Sequence, residues 1–433
     1  MSKFLCKQIL CVITIGLLIR YILGFTLTYT YDVHSWALII SNFEAGLGLY
    51  DISGYNYAPV WGYILGTFST VLDAFGIGFF GERITDGLIM ESQTEWFLSA
   101  YAPSIPFVIA FKTMLYLIDI VVGYVIYVMI RERYDDHKKG VFAFTLWFLC
   151  PFVIAVGAVG GMFDALSALM VLITIYWCMK GNYFGAGIML GLSTVMKLFP
   201  GVIIPILVVY ILHKHKNDGK AYRNLLSAIV GFAMISMIML MPSIMDGHLS
   251  DCFGFLTNRA SSSMGLGLGA IERYGTTIAY VLIVLAILFV SLRYHKKGLD
   301  NKQLIGAILL CLTILFLFPA TPQYILLITP ILIICIIGNR KFLKPYLVLC
   351  IGTTMFAVSM NVANLLPLAA FTDLIDLRTF ESLFMTAFNV DGGGVSITAI
   401  LYYGGAILQY LGTLLILATW ISTTRRNEDV AVK

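Results

Sequence analysis

The chain has 433 residues, of which 59% are hydrophobic and only 12% are charged. An ordinary soluble domain is about 45–50% apolar and about 25% charged, so this composition excludes a water-soluble fold. The net charge of +4 is too small to indicate a nucleic-acid partner. The eight cysteines include no Cys-x-x-Cys pair, so the sequence indicates neither a zinc site nor a disulfide framework.

Apolar runs of membrane-spanning length recur along the whole chain. We therefore predict an all-α polytopic membrane protein, a bundle of about 12 transmembrane helices. The first run follows Lys3 and Lys7 and lacks a small-residue cleavage site, which indicates a retained helix rather than a signal peptide. The predicted spans are residues 8–28, 105–130, 141–158, 163–179, 183–198, 201–213, 224–245, 275–292, 303–319, 323–338, 345–366 and 398–421.

The positive-inside rule orients these spans. Lys and Arg cluster at residues 131–139, 214–223, 293–302, 340–344 and 425–433, which places those segments and both termini in the cytoplasm. A crossing at residues 57–80 would invert this pattern, so we predict that this apolar run is embedded in the membrane without crossing it.

The run belongs to a long first outer segment, residues 29–103. Within it, Trp36, Ile39, Ile40 and Phe43 share one face at helical spacing. This pattern is typical of a helix that lies in the membrane interface.

Single polar residues interrupt apolar sequence at four places on the predicted outer side: Asp32 with His34, Asp164, Lys197, and Gln323 with Tyr324. A lysine inside an apolar run is costly unless it has a partner or a water-filled cavity, so Lys197 indicates an anionic neighbour or ligand. Because structural uses would scatter between both faces of the membrane, the grouping on one face favours a functional site.

Each residue also has a purely structural explanation. Asp32 or Asp164 could cap a helix. Lys197 could extend to the outer headgroups, and Gln323 and Tyr324 could anchor the interface.

Three further charges lie within predicted spans. Lys112 and Asp119 are two helical turns apart, about 10 Å along one axis, so each needs its own partner. We predict a structural ion pair between Asp119 and Arg20 of the first span. In the outer loop 246–273, Arg259 could contact a phosphate or could simply be solvated.

In chain order, these residues fall into short motifs: Tyr31-Asp32-x-His34, Asn56-Tyr57-Ala58-Pro59, Lys112 with Asp119, Gly160-x-x-x-Asp164, Lys197-x-x-Pro200 and Gln323-Tyr324. The ordered series resembles the GT-C superfamily of integral-membrane glycosyltransferases. The resemblance is to the catalytic subunit of the first mannosyltransferase of glycosylphosphatidylinositol synthesis and to prokaryotic polyprenyl-phosphate-mannose-dependent mannosyltransferases. His34 stands where that family often has a second aspartate. Residues 89–93 are similar to a Glu-Ser segment of glucose-dependent relatives, so the sugar stays open between mannose and glucose.

The resemblance implies inverting transfer of a hexose, with mannose favoured, from a polyprenyl-phosphate donor to an acceptor hydroxyl at the outer membrane face. Asp32 would be the general base, and Lys197, Arg259 and Lys112 would bind the donor phosphate. The sugar and acceptor would be positioned by the remaining polar side chains, His34, Asp164, Tyr57, Gln323 and Tyr324. The sequence has no P-loop and no metal-ligand cluster, so neither a metal nor a cofactor beyond the donor is expected.

The implied architecture is a GT-C-like core module over residues 1–273, followed by C-terminal helices over 274–433 that complete the donor-lipid side. The expected partners are the bilayer, the lipid-linked sugar, a glycan or glycolipid acceptor and a small membrane subunit. The membrane would be the plasma membrane of a prokaryote or the endoplasmic reticulum of a eukaryote. The main alternative is a transporter or lipid flippase, a class that usually shows internal repeats and polar residues near the bilayer midplane.

Overall fold

The computed structural model describes residues 3–51, 55, 57–78, 103–254, 270–317, 321–360, 365–366 and 397–431. Within these ranges the chain is almost entirely helical. Arg259 and the Glu-Ser segment at residues 89–93 lie outside the described residues.

The first half of the chain contains nine α-helices and one short strand among its described residues. They are α1 (Lys3–Thr26), β1 (Thr28–Tyr29), α2 (Thr30–Glu44), α3 (Pro59–Ala74), α4 (Ile105–Tyr134), α5 (His137–Phe148), α6 (Pro151–Ile154), α7 (Asp164–Lys180), α8 (Tyr183–Met196) and α9 (Ile204–Lys214). A π-helical segment, Ala155–Val159, follows α6, and a 3-10 segment, Phe199–Ile203, precedes α9. Proline begins α3 and α6, because its fixed φ suits the first turn of a helix.

The described part of the second half contains six α-helices and the second strand. They are α10 (Ala221–Met245), α11 (Ala270–Lys297), α12 (Asn301–Leu315), α13 (Thr329–Gly338), α14 (Leu343–Met360), β2 (Leu365–Leu366) and α15 (Ile397–Ala431). Short 3-10 segments lie at Asp251–Phe253, Pro322–Leu327 and Arg340–Phe342.

Six of the described helices are long and apolar enough to cross a membrane. Their spanning parts are Lys7–Thr26, Ile105–Tyr134, Ala221–Met245, Ile278–Lys297, Arg340–Met360 and Ile397–Thr424. The α5–α6 pair with its π-helical segment is bent by 48° and would make a seventh span. Most other predicted spans are helices of 10–17 residues, shorter than the ~30 Å hydrocarbon core of a bilayer requires. The all-helical membrane architecture is therefore confirmed, whereas the predicted number of spans is not.

One apolar core joins both halves of the chain. Its buried side chains come from α4, α5 and α7 before residue 273, and from α12 and α13 after it. At the periphery, α10 and α11 bury only 6% and 11% of their spanning windows, as expected for helices that contact lipid. The division into modules at residue 273 stays a prediction, and the two predicted modules share this core.

A second apolar cluster joins α2 and α3. Trp36, Ile39 and Ile40 of α2 are buried, and the Trp36 ring meets Trp61 of α3 edge-on at 5.6 Å. The spacing therefore identified the apolar face of α2 correctly, but that face packs inside the protein rather than in the membrane interface. The reason is that α3 offers a rigid apolar surface to which the aromatic rings of α2 pack closely.

The two strands form an antiparallel pair with Thr28 opposite Leu366 and Tyr29 opposite Leu365. This pairing connects the residues directly before α2 to the segment that follows α14.

Candidate active site

Lys197 occupies the junction between two helices. The helix α8 ends at Met196, and Lys197 continues with φ −144° and ψ 125°, an extended conformation. Pro200 follows in the next 3-10 segment and cannot supply an N–H to continue α8. The Lys197 side chain is only 5% exposed, which excludes the explanation that it extends to the headgroups.

The Lys197 ammonium group forms a buried ion pair with Asp164, the first residue of α7. Its Nζ donates a hydrogen bond to Asp164 Oδ1 at 2.5 Å. One turn further along the same helices, the Ser167 and Ser193 hydroxyls lie 3.2 Å apart and hold α7 beside α8. Removing one partner of a buried ion pair typically costs ~3–5 kcal/mol, because the other charge is left uncompensated.

Three aromatic rings surround the same ammonium group. The Lys197 Nζ lies 5.5 Å from the Tyr57 ring centre, 4.7 Å from Phe163 and 4.9 Å from Tyr324. Distances below about 6 Å give cation–π attraction, which is stronger when the cation is desolvated. We call these three rings the aromatic cage.

The cage rings are themselves held by neighbours. Phe163 stacks on Trp61 at 4.2 Å with the ring planes 10° apart. The Tyr50 hydroxyl donates to the Tyr57 carbonyl oxygen at 3.0 Å, and Phe199 packs edge-on against Tyr324 at 4.9 Å. The ammonium group is therefore positioned by surfaces that are already fixed by packing.

Asp32 lies in the first turn of α2 and is 9% exposed. Its Oδ2 atom is buried and has no hydrogen-bond partner among the described residues. Burial raises the pKa of Asp32 to about 8, while nearby Lys197 lowers it and Asp164 raises it further. A carboxyl group with such a pKa exchanges protons near neutral pH, as general acids and bases must.

A glycine permits α2 to approach this site. Gly161 follows the π-helical segment and has a φ of +69°, a conformation that glycine adopts most readily. A Cβ atom there would lie 2.7 Å from Val33 Cγ2, and the Trp36 indole donates to the Gly161 carbonyl oxygen at 3.1 Å. Side chains larger than hydrogen at Gly161 would push α2, and with it Asp32, away from α7.

Gln323 and His34 are close in sequence to members of this group, Gln323 directly before Tyr324 and His34 two residues after Asp32. Gln323 lines a cavity of about 40 Å³ with Tyr29 and Gly160, which has room for a water molecule or two but not for a hexose. His34 lies two residues after Asp32 on α2 and is partly buried.

Lys112 and Arg20 are engaged elsewhere. Lys112 Nζ donates to the Gly24 carbonyl and the Thr28 hydroxyl, both at 3.0 Å, so it binds the end of α1 rather than the aromatic cage. The Arg20–Asp119 ion pair is present, with Arg20 Nε and Nη2 at 3.1 and 3.0 Å from Asp119 Oδ2. It holds α1 against α4.

The structure thus brings together Asp32, Asp164, Lys197, Tyr57 and Tyr324 from segments far apart in sequence. The sequence analysis did not identify Phe163 as a site residue. The one sequence feature that indicates it is its position directly before Asp164. Among the described residues, no group of three or more His, Cys, Asp or Glu side chains could hold a metal ion. The group can supply a proton acceptor and a fixed cation for an anionic substrate.

An apolar helical bundle with a buried carboxylate beside a caged ammonium group defines a membrane protein with a buried site suited to an anionic ligand. The model of glycosyltransferase family 87 matches residues 97–330, more than half of the chain. The protein belongs to this family, which confirms the prediction of a membrane glycosyltransferase. The matched region contains Asp164, Lys197 and Tyr324. It begins after Asp32 and Tyr57, which lie outside it.

A curated relative gives a second comparison. Over 130 residues the chain is 24% identical to GPI mannosyltransferase 1 of Saccharomyces cerevisiae. The alignment covers 30% of this chain, and the chain spans about a third of that relative, 31% of its length.

Proposed function

We propose that this protein is an inverting hexosyltransferase that moves mannose from a polyprenyl-phosphate-linked donor to an acceptor hydroxyl at the outer membrane face. The observation that carries the proposal is the buried group formed by Asp32, Asp164 and Lys197. The name of the yeast relative supports mannose over glucose. Family membership favours glycosyl transfer over the transporter alternative.

Lys197 is the proposed ligand of the donor phosphate. When the sugar–phosphate bond breaks, negative charge on the departing phosphate grows. A fixed cation in a site of low dielectric constant stabilises this growing charge more than the ground state, which lowers the barrier. Arg259 stays proposed as a further phosphate ligand, whereas Lys112 is held at the end of α1 by the Gly24 carbonyl and the Thr28 hydroxyl.

Asp32 is the proposed general base. The acceptor oxygen attacks the anomeric carbon on the face opposite the phosphate, and the carbon–oxygen bond to the phosphate breaks with its electron pair going to the phosphate. The hydroxyl proton passes to the Asp32 carboxylate. A single displacement of this kind inverts the configuration. His34, Gln323 and Tyr324 would orient the reacting groups.

The donor's lipid chain is proposed to lie along α3. An open groove of about 740 Å³ runs beside this helix and is lined mostly by apolar side chains, with Phe43, Tyr63, Gly66, Val71 and Phe75 among them. The opposite end of the same segment begins at Tyr57 in the aromatic cage. The phosphate and its hydrocarbon chain could therefore occupy one continuous segment of the protein.

The proposed orientation of the protein, the membrane it occupies and its partners are inferred from its sequence. Both termini are proposed to lie in the cytoplasm, because Lys and Arg cluster in the loops assigned to that side. The membrane is proposed to be the plasma membrane of a prokaryote, or the endoplasmic reticulum of a eukaryote. A glycan or glycolipid is the proposed acceptor, and a small membrane subunit is a proposed partner.

The test is transfer of radiolabelled mannose from synthetic polyprenyl-phosphate-mannose to a membrane extract of the native host. Asp32→Asn should reduce transfer by a factor of about 10² or more, the usual contribution of a general base. Asp73→Asn is the matched control, because Asp73 is an exposed carboxylate on α3.

Wild-type transfer rates in Asp32→Asn would reject the base assignment. A folded wild-type protein that is silent with mannose, glucose and other polyprenyl donors would instead favour the transporter.

A further inference from the structure

The role of Asp164 can be refined, and this refinement rests on the proposed function. The Asp164 Oδ1 atom is occupied by the Lys197 ammonium group at 2.5 Å. Its Oδ2 atom is buried and has no hydrogen-bond partner among the described residues. The hydrogen-bonding capacity that Asp164 uses among the described residues is therefore directed to Lys197.

The ammonium group serves two carboxylates. Among the described residues, Lys197 and Asp164 are the charged groups that act electrostatically on Asp32. Tyr57 and Tyr324, the titratable members of the aromatic cage, face the same ammonium group with their rings. When Asp32 is ionised, two carboxylates around one ammonium group leave one excess negative charge, and an incoming donor phosphate adds further negative charge. The position of Lys197 therefore decides how well both Asp32 and the phosphate can be accommodated.

We propose that Asp164 is a positioning residue that acts through Lys197, holding the ammonium group in the aromatic cage where it receives the donor phosphate, and limiting its pairing with Asp32. Asp164 binds the ammonium group directly, and the three rings face it from other directions. The donor phosphate then competes with Asp164 for the same cation, so the Asp164–Lys197 hydrogen bond loosens when the donor binds.

Two substitutions should act on Asp32 in opposite directions. Asp164→Asn removes a negative charge near Asp32 and frees Lys197 to interact with it, so Asp32 should ionise at lower pH. Lys197→Gln removes the cation, so Asp32 should ionise at higher pH. Neighbouring charges of this kind typically move an ionisation midpoint by about one pH unit or more.

The experiment measures kcat against pH at saturating donor for the wild type, Asp164→Asn, Lys197→Gln and Asp164→Glu. The acid limb of the profile, where kcat falls as pH decreases and Asp32 becomes protonated, should move to lower pH in Asp164→Asn. It should move to higher pH in Lys197→Gln. Asp164→Glu keeps the negative charge, so its acid limb should stay at the wild-type position even if kcat falls. Size-exclusion chromatography in detergent shows whether each variant is folded.

A second readout needs no substrate. Infrared difference spectra recorded against pH follow the protonated-carboxyl band that disappears in Asp32→Asn. The midpoint of this band should shift down in Asp164→Asn and up in Lys197→Gln. These shifts without any sugar transfer would support the positioning role and reject the proposed function.

Sugar transfer without opposite shifts would reject the positioning role alone. A higher donor KM in Asp164→Asn with an unmoved acid limb would show that Asp164 contacts the sugar. A shift of both variants in the same direction would overturn the proposal as well.

Discussion

Asp32, the proposed general base, is buried in the first turn of α2. Because burial raises its pKa to about 8, the carboxyl group is largely protonated below that pH and cannot accept the acceptor's proton. We expect kcat to rise with pH through this region and to fall about tenfold per pH unit well below it, as for any single essential base. A pH–rate profile at saturating donor measures this. A kcat independent of pH over the same range would contradict the assignment.

Arg20 is predicted to matter for stability rather than for chemistry. It is fully buried and binds Asp119 of α4 and the Phe148 carbonyl, the latter at 2.7 Å. Arg20→Met leaves Asp119 uncompensated and should cost ~3–5 kcal/mol of unfolding free energy. Thermal unfolding in detergent checks this.

The matched control is Lys139→Met, because the Lys139–Asp136 pair is exposed and 3.7 Å apart. This change should have little effect on the unfolding temperature. The double variant Arg20→Met with Asp119→Leu should recover much of the lost stability. Equal losses in the single and double variants would argue against the ion pair as the cause.

At the residue scale, the sequence predicted which charges are buried more reliably than it predicted their partners. Lys197 and Asp119 each required a partner because an unpaired charge is costly in apolar surroundings. For Asp119 the choice of Arg20 was correct. For Lys197 the chain offered several carboxylates, and rings such as Phe163 leave no periodic signal, so only the fold could show which ones meet.

At the scale of elements, α3 is the helix that the proposed function uses most. Gly66 lines the groove beside α3, and among the described residues a Cβ atom there would meet only the Phe43 ring, at 3.9 Å. Gly66→Trp should therefore fill the groove without disturbing the packed face of α3. We expect the KM for long-chain donors to rise several-fold while the KM for a short-chain donor stays unchanged.

Kinetics with donors of two chain lengths measure this difference. The short-chain donor is the control within the same variant. An equal rise for both donors would place the lipid chain elsewhere.

The helices also show where periodicity stops being informative. It identified the buried face of α2, since apolar residues three and four positions apart share a face. It could not show that α3 rather than lipid covers that face, because protein interior and bilayer are equally apolar. The helices α8, α12 and α13 pack largely within the bundle. Burial against other helices therefore accounts for the apolar composition of these predicted spans.

At the scale of the whole molecule, the orientation in the membrane is the prediction with the widest consequences. Asp251 lies on the predicted outer side and Lys216 on the predicted cytoplasmic side, and both are exposed. In a cysteine-free background, Asp251→Cys should react with a membrane-impermeant maleimide added outside intact cells. Lys216→Cys should react only after permeabilisation. The reverse pattern would place the Asp32 site at the cytoplasmic face and contradict the proposed donor side.

The helical membrane architecture followed from composition, and the family match confirmed the class of protein. The number of spans cannot be deduced from composition alone, because short helices buried in the bundle and membrane-length helices are equally apolar. The single core across residue 273 was also not predictable, since contacts between distant helices leave no local pattern in the chain.

The β1–β2 pairing has a consequence for biosynthesis. Asp32 enters the membrane among the first residues to be made, whereas Tyr324 and the strand Leu365–Leu366 that pairs with Thr28–Tyr29 follow only near the end. The Asp32 carboxylate is thus present before the Lys197 ammonium group, the Tyr324 ring of the aromatic cage and the strand that pairs with Thr28–Tyr29. The site is therefore complete only after the segment with Tyr324 and the strand Leu365–Leu366 have been made, so a nascent chain is expected to be inactive during insertion.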